Sequence, residues 1–240
     1  MGRVTMGSIR PVKVERGYTK HAAGSVLYRC GDTVVLCTAS LEPSVPPWMA
    51  GRGRGWITAE YNMLPSSTSP RKSRERSGKV DGRTTEIQRL IGRSFRAVAD
   101  LQKLGERSIT IDCEVLQADG GTRTASITGG LIALVDALKT EFGGVERNAY
   151  PLRDSVAAIS VGICDGACCL DLDYAKDAAA DVDMNIVMTG ESRFIEVQGT
   201  GEEATFDDTQ LASLLALGKE GIRQLTQIQK SALGSDWPFD

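Results

Sequence analysis

The run Gly120-Gly121-Thr122-Arg123-Thr124 brings together residue types suited to holding a tetrahedral anion. Two glycines let successive backbone N–H groups turn toward one point. A helix starting there adds unpaired N–H donors and a partial positive charge. Thr122 supplies a hydroxyl, and Arg123 a charged fork that matches an oxyanion. These features describe a phosphate cradle, although the same string also fits a capped helix entry with Arg123 turned into water. No Gly-x-x-x-x-Gly-Lys-Ser/Thr string occurs in the chain, so a Walker-type nucleotide loop is excluded. Arg83 begins a second helix, where the helix dipole mildly disfavours a cation. Its placement there hints at a neighbouring anion and fits a plain surface arginine equally well.

An acidic cluster follows later in the chain, with Asp171, Asp173, Asp177, Asp181 and Asp183 inside thirteen residues. Asp177 is expected in a loop and Asp183 directly before an apolar strand. A loop that doubles back could bring both to one Mg²⁺, an ion that takes oxygen ligands and few of them from protein. A solvated acidic loop is the plainer account of the same residues. Arg71, Arg74 and Arg76 lie in a basic loop with no interleaved aromatics, which suits phosphate-backbone contact better than base stacking. The charge division is regional. Residues 51–107 carry thirteen Lys/Arg against six Asp/Glu, and residues 165–210 carry two against twelve, within a net charge of −3. The basic segment could hold a polyanion and the acidic one a metal ion, or both could be solvated surfaces.

The elements that must position these residues are legible from periodicity. Gly24 to Thr38 reads as two strands around a Gly31-Asp32 turn, and Trp56 to Tyr61 as a short strand between loops at 45–55 and 65–82. Ile87, Leu90, Ile91, Phe95, Val98 and Leu101 predict a helix from about Thr85 to Lys103, ended by Gly105. Its opposite face carries Arg89, Arg93 and Arg96, which could meet an acidic surface on a neighbouring subunit. Ser108 to Leu116 alternates as a half-buried strand, and a second helix runs through Leu131, Leu134, Val135 and Leu138. Hairpins are expected at Val156–Cys164/Ala167–Leu172, on Asp165-Gly166, and at Met184–Met188/Phe194–Val197, around Gly190. An amphipathic helix follows Asp207. With no low-complexity linker and no repeat, residues 1–240 read as one compact α+β domain.

Composition narrows the function classes. No apolar run approaches a membrane span and no secretory h-region opens the chain, so a soluble cytoplasmic protein is expected. The six cysteines form no Cys-x-x-Cys pair and read as buried thiols. His21 is the sole histidine, which argues against His-based nucleophilic catalysis.

Taken in order, these segments resemble the bacterial ribonuclease PH family. The resemblance is carried by Arg10-Pro-Val, Gly24-Ser-Val-Leu, Val35-Leu-Cys-Thr-Ala39, Gly55-Trp-Ile-Thr-Ala-Glu-Tyr61 and Met63-Leu-Pro65. It continues through Gly82-Arg-Thr-Thr-Glu-Ile-Gln-Arg-Leu-Ile-Gly92, the run Asp112 to Gly129, Asp183-Met-Asn185 and Ile195-Glu-Val-Gln-Gly-Thr200. It spans about residue 8 to residue 233 and rests on long fixed strings. It implies the ribosomal-protein-S5-domain-2-like fold built from βαβ units, a hexameric ring of three dimers, and phosphorolytic 3′→5′ exonuclease activity on tRNA precursors. It further implies Arg83, Gly121, Thr122 and Arg123 as ligands of the co-substrate orthophosphate. Asp177 and Asp183 match carboxylates associated with the divalent metal and with catalysis, and Arg71 and Arg74 match arginines of the RNA-contacting loop. Ser66 stands where many members carry arginine, and the loop before Gly82 is one residue shorter. Both departures bear on tRNA contact rather than on the chemistry.

In the reaction the resemblance implies, held orthophosphate attacks the last phosphodiester and releases a nucleoside diphosphate. Bringing two anions together makes charge neutralisation the main task. A hydrolytic nuclease would have no use for a phosphate cradle, and such sites usually hold two metals and more carboxylates. An inactive RNA-binding ring subunit would be favoured by loss of Arg123 or Asp183, and both are present.

Overall fold

The structure is a computed structural model that describes residues 7–74, 81–201 and 204–239. Alternating apolar residues build two sheets. The first comprises β1 (Val12–Arg16), β2 (Gly24–Cys30), β3 (Thr33–Glu42), β4 (Trp56–Met63) and β5 (Ser108–Gln117), in the order β1-β2-β3-β5-β4. The second comprises β6 (Val156–Cys164), β7 (Ala167–Leu170), β8 (Val182–Thr189) and β9 (Phe194–Gly201), in the order β7-β6-β8-β9. All pairings are antiparallel except β4 with β5, which run parallel. A parallel neighbour demands a crossover, here supplied by α1 (Gly82–Val98) and the single turn α2 (Leu101–Leu104). That segment is the expected βαβ unit.

The central element is α3 (Thr122–Phe142), which packs on β2, β3 and β5 of the first sheet and on β6 of the second. Val26, Tyr28, Val35, Cys37, Ile111 and Cys113 from one sheet share a core with Val156, Ala158 and Val187 from the other. Squeezed between two sheets, α3 is buried almost all round, and its apolar positions form no single stripe. A Cβ on Gly130 would lie 2.8 Å from the Phe95 ring, so α1 and α3 approach closely at that point. The far face of the second sheet, with Ala157, Ile159, Val161, Met184 and Ile186, is covered by α5 (Asp208–Leu233). Asp207 and Gln210 close a reciprocal capping box at the start of α5.

Several expectations are corrected. β1, with Val12 and Val14 half-buried, was not anticipated. The helix expected through Lys103 breaks at Ala99, which adopts extended backbone and bridges Leu152. Asp100 N–H donates to Pro151 O, and its carboxylate then caps α2; these long-range contacts outweigh helical propensity. The arginine face is largely consumed within the chain. Arg93 makes a forked pair with Glu196 on β9, while Arg96 stacks 4.5 Å from the Trp56 ring centroid and donates to Ile57 O. Of the six free cysteines, Cys30, Cys37 and Cys113 are buried, whereas Cys164, Cys168 and Cys169 on the β6–β7 hairpin are only partly so.

One ion pair ties the N-terminal segment to both sheets. The Arg10 guanidinium donates through Nε and Nη2 to the two oxygens of Asp171, and Nη1 donates to Asp119 O at 2.6 Å. The Arg10 N–H also donates to Asp171, at 2.8 Å. The Arg10 and Asp171 side chains are 14% and 5% exposed. Burial alone would lower the Arg10 pKa, but the bonds and charge of Asp171 raise it overall. Removing one partner strands a buried charge. Arg10→Met is therefore expected to lower the unfolding free energy by about 3–5 kcal/mol, read from urea denaturation curves.

Candidate active site

The entry to α3 lies where the two sheets meet. Gly120 and Gly121 both have positive φ, 71° and 64°, which costs glycine nothing and turns β5 sharply into the helix. A Cβ at Gly120 would lie 2.4 Å from Leu172 O, so this loop is pressed against the segment that leads to the acidic cluster. Thr33 Oγ1 fixes the loop from behind, donating to Gly120 O at 2.6 Å and accepting from Asp119 N–H at 3.0 Å. The N-cap of α3 is Gly121, which has no side chain to cap the helix.

Thr122 is buried, and its hydroxyl lies 2.9 Å from the hydroxyl of Tyr61, near the end of β4. Burial raises the Tyr61 pKa, while the bond to Thr122 and the positive charges of Arg83 and Arg123 oppose that rise. Both arginines therefore act on the same phenol. Arg83 is exposed in the first turn of α1, which Asp81 caps by accepting from Thr84 N–H at 2.6 Å. Arg123 Nη1 donates to Gln198 Oε1 at 3.3 Å and lies 3.7 Å from Glu86. Gln198 also donates to Glu196, the partner of Arg93, so β9 steadies α1 and α3 together. Gly121, Thr122 and Arg123 thus open α3 in succession, and Arg83 stands at the start of α1, where its charge acts on Tyr61.

The acidic segment is more ordered than a loop. Asp171 sits at φ 55°, and Asp173 caps a short helix, α4 (Tyr174–Ala179), by accepting from Lys176 N–H. Asp177 is exposed in its first turn rather than in a loop. Tyr174 N–H donates to Asp119 Oδ1 at 3.2 Å, which ties the start of α4 to the loop before α3. Asp183 lies within β8, paired with Gly162 and Thr200, rather than before the strand. Strand alternation turns Val182, Met184 and Ile186 toward α5. Asp183 and Asn185 consequently share the face of Val187, which packs on the side of α3.

Among the described residues, no group of three or more His, Cys, Asp or Glu side chains could hold a metal ion. Arg71 and Arg74 are exposed between β4 and α1, and Arg74 contributes to the charge environment of Glu114 on β5. Arg76 lies outside the described residues. Motif chemistry alone assigned no role to Tyr61, Arg10 or Gln198, and placed Asp171 in the acidic cluster without its partner Arg10. Their partners are 61, 161, 75 and 161 residues away in sequence, so no local spacing could have disclosed them.

Comparison with known proteins defines the class. Residues 8–139 match the family model described as 3′ exoribonuclease family, domain 1, and residues 154–221 match domain 2 of the same family. The chain belongs to the 3′ exoribonuclease family. A relative from Rhodopirellula baltica named Ribonuclease PH is 67% identical over 231 residues, covering 94% of each chain. One of the same name from Listeria innocua is 57% identical, covering 95% of this chain and 92% of its own. With both family models and relatives this similar, the activity is phosphorolytic 3′→5′ exoribonuclease activity, a nucleotidyl transfer to phosphate. The fold is shared with rice Rrp46, at TM-score 0.78 and 17% identity, covering 95% of this chain and 97% of that one. It is shared also with a chain of the Archaeoglobus fulgidus exosome with RNA bound to the active site, at TM-score 0.77 and 21% identity, covering 93% and 89%. This is the S5-domain-2-like architecture expected from the resemblance.

Gly120→Ala should damage this site by geometry alone. The substitution imposes a left-handed conformation costing about 1–2 kcal/mol, plus overpacking of about 1–3 kcal/mol against Leu172 O. A fall of about 2–5 kcal/mol in denaturant-measured stability is expected.

Proposed function

We propose that the chain trims precursor tRNA 3′ ends beyond the CCA terminus, with orthophosphate bound by Arg83, Gly121, Thr122 and Arg123. The observation that carries this reading is the convergence at the Tyr61 hydroxyl. Thr122 bonds to it at 2.9 Å, and the charges of Arg83 and Arg123, each in the first turn of a helix, both lower the Tyr61 pKa, which supports an anion site shared by these residues. The arginines offset the nucleophile's charge, and the helix entry favours an anion. An oxygen of orthophosphate attacks the terminal phosphodiester phosphorus. The bond to the preceding 3′-oxygen breaks, and the departing nucleotide leaves as a nucleoside 5′-diphosphate. Asp183, on the strand face toward α3, assists proton transfer to the leaving 3′-oxygen. Because a phosphoanhydride is kept, the reaction runs backwards when diphosphates are abundant and adds nucleotides.

Asp177 and Asp183 would hold Mg²⁺, since an all-oxygen pair suits an ion that keeps most of its water and accepts few protein ligands. When bound, the ion would offset charge developing on the scissile phosphoryl group. Arg71, Arg74 and Arg76 contact the RNA backbone upstream of the reacting end. Exposure of Arg71 and Arg74 between β4 and α1 supports this role. The assembly is a homohexameric ring of three dimers, as the family resemblance implies. Phe194 and Val197, 44% and 42% exposed on the edge strand β9, are consistent with burial against another subunit. The protein works in the cytoplasm, where ribosomal RNA is a further substrate. Among the described residues no helix is long and apolar enough to cross a membrane.

The deciding experiment incubates 3′-extended tRNA with and without orthophosphate. Nucleoside diphosphates should form only with phosphate; monophosphates formed equally fast without it would refute the reading. Arg123→Ala should raise the half-saturating phosphate concentration about ten- to a hundredfold, the value of a charge-assisted hydrogen bond, and leave RNA binding nearly unchanged. Asp183→Asn should reduce turnover at saturating RNA and phosphate by about 10²- to 10⁴-fold, while a thermal melt shows the variant still folded. Asp177→Asn should be partly rescued by excess Mg²⁺. Sedimentation should give a hexamer at micromolar concentration.

A further inference from the structure

We infer that Tyr61 is a positioning residue that sets the direction of the Thr122 hydroxyl proton, and through it the affinity for orthophosphate. The inference rests on the reading of Thr122 as a phosphate ligand.

Tyr61 is 2% exposed, and its side chain points into the core beneath α3. Its hydroxyl has Thr122 Oγ1 as its hydrogen-bond partner, at 2.9 Å, and no other among the described residues. Two arrangements satisfy this distance. If Thr122 donates to the phenol, the phenolic proton is left in the core without an acceptor, which carries the desolvation cost of an unmade bond. If Tyr61 donates, its proton is satisfied and the Thr122 proton is turned toward the open end of the helix. A hydroxyl has one proton and two acceptor lone pairs, so the second arrangement alone leaves both groups paired once an anion is present. The phenol remains protonated in the folded protein, because burial raises its pKa despite the two arginines.

The consequence is a division of labour. Arg83 and Arg123 supply charge, and Thr122 supplies a neutral donor in a set direction. Tyr61 contributes no group to the anion itself. Without it, the Thr122 proton is free to rotate away from the anion. Ser126 donates to Thr122 O, one turn on in α3, so the Thr122 backbone is held independently of Tyr61.

The test is a double-mutant cycle on the full-length enzyme, with Tyr61→Phe, Thr122→Val and both together, assayed with inorganic phosphate and 3′-extended RNA. Tyr61→Phe keeps the ring and its packing, and a thermal melt confirms folding. Tyr61→Phe should raise half-saturating phosphate by about three- to tenfold and leave half-saturating RNA unchanged. Thr122→Val should raise it at least as much, and the double variant no further than Thr122→Val alone. If Thr122→Val raises the phosphate requirement and Tyr61→Phe does not, the inference is overturned and the phosphate reading stands. Additive effects would also overturn it, as would equal rises for RNA and phosphate, since both would make Tyr61 act other than through Thr122. If Thr122→Val itself leaves phosphate saturation unchanged, the phosphate reading of Thr122 falls, and the inference with it.

Discussion

Both sheets bury their inner faces on one helix, and the site follows from that constraint. The first N–H groups of a helix have no partner within it and must be met by side chains, water or a ligand at the edge where the helix begins. For α3 that edge is the seam between the sheets, and the turn into it is made by two left-handed glycines rather than by a capping side chain. The first sheet brings Tyr61 to Thr122, the second brings Gln198 to Arg123, and the charge of Arg83 on α1 acts on the same Tyr61. Moving α3 by one turn, about 5.4 Å, would uncouple all of these at once.

The basic and acidic stretches of the chain fall on different elements. Positive charge comes from α1 and the start of α3, negative charge from α4 and β8. Arg10 stands between them, paired to Asp171 on the acidic side and to Asp119 O on the side of the α3 loop. A buried ion pair of this kind is weak evidence for net stability but strongly penalises any arrangement that separates its members. That fits a clamp whose effect is register, fixing the α3 loop relative to the approach to α4. The exposed pair between Arg93 and Glu196 belongs to a different class, worth about 0.2–1 kcal/mol. Its geometry carries more meaning than its energy, because Glu196 also accepts from Gln198, which holds Arg123.

Residue chemistry and spacing by themselves determined much of this protein. Period-two alternation located β5, and the turns at Asp165-Gly166 and Gly190 located the hairpins of the second sheet. The Asp165-Gly166 turn has both residues at positive φ, as its dipeptide demands. Period-three-to-four spacing located α1 and α5, and the Gly-Gly-Thr-Arg string identified the α3 entry as a candidate anion site. These features are local: each depends on backbone conformations that a few consecutive residues prefer. Tertiary structure decided the rest. It broke the first long helix at Ala99 through a bridge to Leu152, and it folded the residues around Asp177 into a helix capped by Asp173. It spent two of the three arginines on one face of α1, Arg93 and Arg96, on Glu196, Trp56 and Ile57 O. It chose Tyr61 as the partner of Thr122 and Asp171 as the partner of Arg10. The physical reason is that hydrogen-bond satisfaction in a buried seam is a property of whichever groups the fold brings there, and those groups are separated by 61 and 161 residues of chain.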